Sequence, residues 1–80
     1  MTPDQCRAAR ALLNWNAEQL AEKSYASAST VRNFEAGRSV PKPIYLGAMQ
    51  KAFEAAGVVF LPAEDGQGAG VRFRNTLLTS

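Results

Sequence analysis

"EKSYASASTVRNFEAG", residues 22–37, reads as the end of one helix, a corner and the whole of a second helix. Ser27 is a helix-capping residue, Val31 and Phe34 recur behind it at helical spacing, and Gly37 supplies a left-handed residue that ends the run. A tight corner between helices usually carries glycine, because it needs φ > 0 and glycine reaches that at no steric cost. Here the corner offers Ser24, Tyr25 and Ala26. Two outcomes are open: Tyr25 takes the left-handed conformation with its ring over the corner, or the turn adopts another shape and displaces Ser27 and Ala28.

On the N-terminal side, Asn16-Ala17-Glu18-Gln19 places a capping asparagine three positions before a glutamine that can return the hydrogen bond, which starts a short helix from Ala17 to about Ser24. Trp15, just before the cap, can pack on Leu20 as a hydrophobic staple. Thr2-Pro3-Asp4-Gln5 repeats the device with proline at the first helical position, so a helix runs to about Leu13 with Cys6, Ala9, Leu12 and Leu13 as its apolar stripe. On the C-terminal side, the third helix runs from Ala28 to Ala36, and "RSVPKP" is a loop because its prolines hold the preceding residues extended. Pro43 opens a fourth helix, along which Tyr45, Met49, Ala52, Phe53 and Ala56 recur until Gly57 stops it.

The period then changes. "VVFL" and "VRFR" are short runs rich in β-branched and aromatic residues around "PAEDGQGAG", which predicts a hairpin of Val58 to Leu61 with Val71 to Arg74. Val71 and Phe73 should face one way and Arg72 and Arg74 the other. An isolated hairpin is marginal in water, so this one must lie on the helices, pair with a second chain, or both. The expected organisation is a helical part over residues 1–57, the hairpin over 58–74 as a dimerisation element of the same domain, and a flexible tail over 75–80.

The totals agree with one small domain. At 80 residues the chain is below the usual size for division, and domains this short bury only about 60% of their unfolded surface, so a second copy would add needed stability. Cys6 has no second cysteine to join and reads as a small buried apolar residue in a reducing compartment. Histidine is absent, which removes the commonest general base and metal ligand, so no metal, no cofactor and no enzymatic activity are expected. "MTPDQCRAARALL" has no apolar run of a signal peptide and the chain has no membrane span, which points to the cytoplasm. The net charge of +2 is modest, but between Ala26 and Phe53 stand Arg32, Arg38, Lys42 and Lys51 against Glu35 alone.

Two short helices joined by a corner, the second rich in small polar side chains and flanked by bases, form the arrangement that places a helix in the major groove of DNA. Asparagine can bond adenine and arginine guanine in pairs, serine can bond several base edges, and alanine can touch a thymine methyl. "NAEQLAEKSYASASTVRNFEAGR", residues 16–38, resembles the helix-turn-helix of the Cro-like phage repressors, the XRE family of bacterial regulators. The resemblance is carried by Leu20 and Ala21, by "S-x-x-T-V" from Ser27 to Val31, and by "F-E-x-G" at Phe34, Glu35 and Gly37, and it covers about residues 4–56. It implies a mainly α fold, a four-helix helix-turn-helix DNA-binding domain followed here by a C-terminal β-hairpin where many members have a fifth helix.

The resemblance also implies roles. Ser27, Ala28, Ser29, Arg32 and Asn33 would meet bases. Asn16 with the backbone amide of Ala17 would bind one phosphate, and Gly37, Arg38 and Lys42 would grip the backbone. Arg10 and Glu35 stand where several members have a structural ion pair. Ala17 replaces a glutamine common in the family, which removes one phosphate donor, and Tyr25 replaces a common glycine. The expected function is a sequence-specific, nucleoid-associated repressor acting as a homodimer on double-stranded palindromic DNA, with Val59, Leu61, Val71 and Phe73 joining hairpins across the two-fold axis. The alternative is a protein-interaction module, an antitoxin or antiactivator, built on the same fold.

Overall fold

The first three helices start where a side chain can return a hydrogen bond to the backbone. In the computed structural model, which describes residues 1–75, the Thr2 hydroxyl accepts from the Gln5 amide at 3.0 Å and Gln5 Oε1 accepts from the Thr2 amide at 2.9 Å. This capping box opens α1 (Pro3–Leu13), and an equivalent box at 2.8 Å in both directions between Asn16 and Gln19 opens α2 (Ala17–Ser24). Ser27 caps α3 (Ala28–Glu35), accepting from the Thr30 amide at 3.0 Å, and Pro43 begins α4 (Pro43–Ala55). The third and fourth helices end one residue earlier than periodicity predicts, with Ala36 and Ala56 as their caps before Gly37 and Gly57 at φ 75° and 99°.

Tyr25 takes the left-handed conformation, with φ 59° and ψ 21°. The amides of Tyr25 and Ala26 both bond the Ala21 carbonyl, the second at 3.1 Å, so the end of α2 is closed as a glycine would close it. The ring does not cover the corner: Tyr25 is 89% exposed. A β-carbon in this region of φ,ψ crowds the following carbonyl at a cost of about 1–2 kcal/mol, and no packing of the ring offsets it.

The core draws on all four helices and the first strand. Cys6 and Ala9 of α1, Ala17, Leu20 and Ala21 of α2, Val31 and Phe34 of α3, Met49 and Phe53 of α4, and Val58 form one buried cluster. Trp15 packs against the core and stacks on Phe53, with ring centroids 5.6 Å apart, and Phe53 in turn meets Phe60 at 6.0 Å. Leu12 and Tyr45, assigned by periodicity to the apolar stripes, are both 38% exposed. A domain this small has too few elements to cover the full width of each helical stripe.

Strands β1 (Val58–Leu61) and β2 (Gly70–Phe73) pair antiparallel, one residue earlier in the second strand than expected, with Val58 opposite Phe73 and Phe60 opposite Val71. The loop between them tightens at Glu64 and Gln67, whose backbones exchange hydrogen bonds around Asp65-Gly66. Both of those central residues have positive φ, as a two-residue hairpin turn requires.

Opposed residues share a face of the sheet, so Val58, Phe60, Val71 and Phe73 turn towards the helices, where all four pack on the core. Val59, Leu61 and Arg72 lie on the other face. The expected set of four dimerisation residues is therefore divided: Val71 and Phe73 are partly buried against the chain's own core, and Val59 and Leu61 face outward. The hairpin is also pinned by Gln5, whose Nε2 donates to the Leu61 and Gly70 carbonyls at 3.1 and 3.0 Å. Only Asn75 of the expected flexible tail falls within the described residues; 76–80 lie outside them.

Candidate nucleic-acid interface

Helix α3 is held from behind by its last residue. Glu35 is buried, and Arg10 reaches it from α1 with two parallel hydrogen bonds, Nε to Oε2 at 2.8 Å and Nη2 to Oε1 at 2.6 Å. The remaining Arg10 Nη1 donates to the Trp15 carbonyl at 2.9 Å, which ties the same guanidinium to the α1–α2 connection. The Cys6 thiol donates to Glu35 Oε2 at 3.0 Å, and Arg7 donates to the Glu35 carbonyl at the end of α3, where a cation also meets the negative pole of the helix. Burial pushes the Glu35 carboxyl up, but the Arg10 and Cys6 hydrogen bonds and the Arg10 and Arg7 charges outweigh it and hold it below its ordinary value. Burial and the Glu35 hydrogen bond push the Cys6 thiol well above its ordinary value, so it is a structural donor and not a nucleophile.

The opposite face of α3 is open. Ala28, Ser29, Arg32 and Asn33 recur at a spacing of four and so share one side of the helix, with Ser29 and Arg32 exposed and Ala28 and Asn33 half-buried. Ser27 stands at the head of this face, but its hydroxyl is committed to the Thr30 amide and lies 2.9 Å from the Thr30 hydroxyl. The two form one capping unit beside a cleft of about 250 Å3 that Tyr25, Ala26 and Tyr45 complete.

Two contacts on this face were not legible from sequence spacing. Arg32 is ion-paired to Glu18, the second residue of α2, and both side chains are more than half exposed. The Arg32 hydrogen bond holds the Glu18 carboxyl below its ordinary value. Asn33 Oδ1 accepts from Arg38 at 3.5 Å, and the Asn33 carbonyl accepts the Arg38 amide at 2.8 Å, so the loop after α3 folds back onto the helix.

The flanks of α3 hold the other assigned residues. At the start of α2 the exposed Asn16 uses its Oδ1 in the cap, and the Ala17 amide lies in the first turn, where helix N–H groups lack intrahelical partners. Beyond α3, Gly37, Arg38 and Lys42 are exposed on the connection to α4. A β-carbon at Gly37 would meet nothing, so its glycine is required by its φ and not by space. Val40 and Ile44, which the sequence reading did not single out, are 76% and 75% exposed beside Lys42.

A short helix buttressed through its C-terminal glutamate, with a polar face beside a second helix N-terminus and a basic loop, defines a helix-turn-helix module. A family model described as helix-turn-helix matches residues 7–56, more than half of the chain, and the chain belongs to this family, the XRE-type DNA-binding transcription regulators. No curated protein matches the chain. No helix among the described residues is long and apolar enough to cross a membrane.

Proposed function

We propose that the protein is a cytoplasmic, sequence-specific transcriptional repressor that acts as a homodimer on a palindromic operator. The observation that carries this reading is the opposition on α3: an inner end locked by Arg10, Arg7 and Cys6, and an outer face of Ala28, Ser29, Arg32 and Asn33 left open. Rigid support of that kind lowers the entropy lost when side chains dock on base edges. In this reading Asn16 and the Ala17 amide on one side, and Gly37, Arg38 and Lys42 on the other, hold the phosphate backbone on either flank of α3. Ser27 serves mainly to set the angle of α3 through its cap.

One such helix reads only a few base pairs, so two copies about one helical turn apart supply the missing affinity and specificity. For the dimer, the outer hairpin face with Val59 and Leu61 is the part of the expected set that remains free to join a second chain.

Binding measured on selected and random DNA tests the reading. Asn33→Ala should weaken binding to the best operator by about 1–3 kcal/mol and relax preference at one base pair, whereas Lys42→Ala should weaken all sequences alike. Equal loss on both DNAs for Asn33→Ala would refute its base-reading role. The competing reading, an antitoxin or antiactivator surface, draws on the exposed Val40 and Ile44. Phosphate-mediated binding should fall by orders of magnitude between about 50 and 200 mM salt, and an apolar protein interface should not.

A further inference from the structure

We propose that Glu18 is a specificity-determining residue: its carboxylate fixes the Arg32 guanidinium in place for a guanine and withdraws the arginine's charge from the phosphate backbone. This rests on the reading of α3 as the groove-entering helix. The observation is the Glu18–Arg32 ion pair, which bridges α2 and α3 on the side of the molecule where α3 is open. With the two side chains 58% and 56% exposed, the pair contributes little to folding, because solvent screens it and both long side chains lose freedom.

A carboxylate here suits the helix, since Glu18 stands in the first turn of α2 where the backbone dipole favours negative charge, but it sits poorly beside DNA. Glu18 lies two residues after Asn16, in the turn assigned to a phosphate, where a lone negative charge would oppose DNA. Its bond to Arg32 resolves this. The guanidinium carries five N–H donors in one rigid plane, and among the described residues its only side-chain partner is Glu18, through Nη2. Enough donors remain to meet guanine O6 and N7 together. The arginine enters the groove already oriented, and the nearly neutral pair adds little to sequence-independent attraction. Glu18 touches no base in this scheme; it is a positioning residue acting through Arg32.

The test is binding of wild type, Glu18→Gln and Arg32→Lys to random DNA and to sequences selected by wild type, across a salt series. Glu18→Gln should bind random DNA several-fold more tightly, with a salt slope steeper by about one. Its preference for guanine at one position of each half-site should fall about tenfold, and Arg32→Lys should lose the same preference without the gain on random DNA. Melting curves should coincide for all three, and Glu18→Ala provides a second variant should Glu18→Gln fold poorly. A uniform gain on every sequence with the guanine preference intact would overturn the assignment, as would no change in either quantity. Wild type that selects no sequence would overturn the reading of α3 together with it; a selected motif that none of these substitutions alters overturns the assignment alone.

Discussion

Helix α3 is joined to its neighbours by two arginine–glutamate pairs that use the same chemistry in opposite surroundings. Arg10 meets Glu35 behind the helix, with side chains 22% and 8% exposed, in a two-bond geometry that a thiol and a second arginine complete. Arg32 meets Glu18 in front of it, where both side chains are more than half in water. Behind the helix the charges have lost most of their hydration, so each depends on the other and the pair fixes where α3 lies. In front they keep most of it, so the pair can open or turn towards a ligand at little cost. Burial, and not the residue types, decides which pair is scaffold and which can rearrange.

Loss of the rear pair should have the largest effect. Glu35→Ala should destabilise the fold by about 3–5 kcal/mol, nearer the lower figure because Arg10 keeps some exposure, and lower the melting temperature by upwards of about 10 °C. An unchanged melting temperature would remove the distinction. Acid should act through the same group. Because the Glu35 carboxyl titrates lower in the folded chain than in the unfolded one, its contribution is complete above the unfolded value of about 4.3 and is lost as pH falls through the folded value. Glu35→Gln should therefore melt lower at neutral pH and lose less stability than wild type on acidification, which calorimetry across pH 2–7 would show.

Gln5→Ala should have the next largest effect, about 1–3 kcal/mol, since one side chain closes the α1 cap and satisfies two strand carbonyls. Protection of the hairpin amides from hydrogen exchange should fall with it. Tyr25→Gly should raise stability by about 1 kcal/mol, because it relieves a left-handed tyrosine whose ring packs on nothing. At the front pair, Glu18→Gln should leave the melting temperature essentially unchanged, because solvent screens the pair. A loss as large as that of Glu35→Ala would show that the two pairs do not differ in kind.

The parts of this structure written in short spacings were legible in the sequence. Thr2 with Gln5, Asn16 with Gln19, and Gly37 and Gly57 fix the helix limits through groups within a turn of one another, so α1 and α2 fall where the caps place them. What spans longer distances was not. The second role of Gln5 reaches 56 and 65 positions along the chain, and the Cys6 thiol finds Glu35 across 29. The Glu18–Arg32 pair joins residues 14 apart on two helices, and the packing of α2 on α3 brings them together. Alternation along β2 put Val71 and Phe73 on one face but could not say whether that face met the helices or a second chain. The register with Val58 and Phe60 decides it.

The central claim is that the open face of α3 reads DNA in pairs. Selection of bound sequences from random duplex DNA by the purified protein tests it most directly. The expected result is a palindromic motif whose half-sites lie about one helical turn apart, with a guanine preference that depends on Arg32. Recovery of sequences no different from the starting pool, at low salt and micromolar protein, would contradict it.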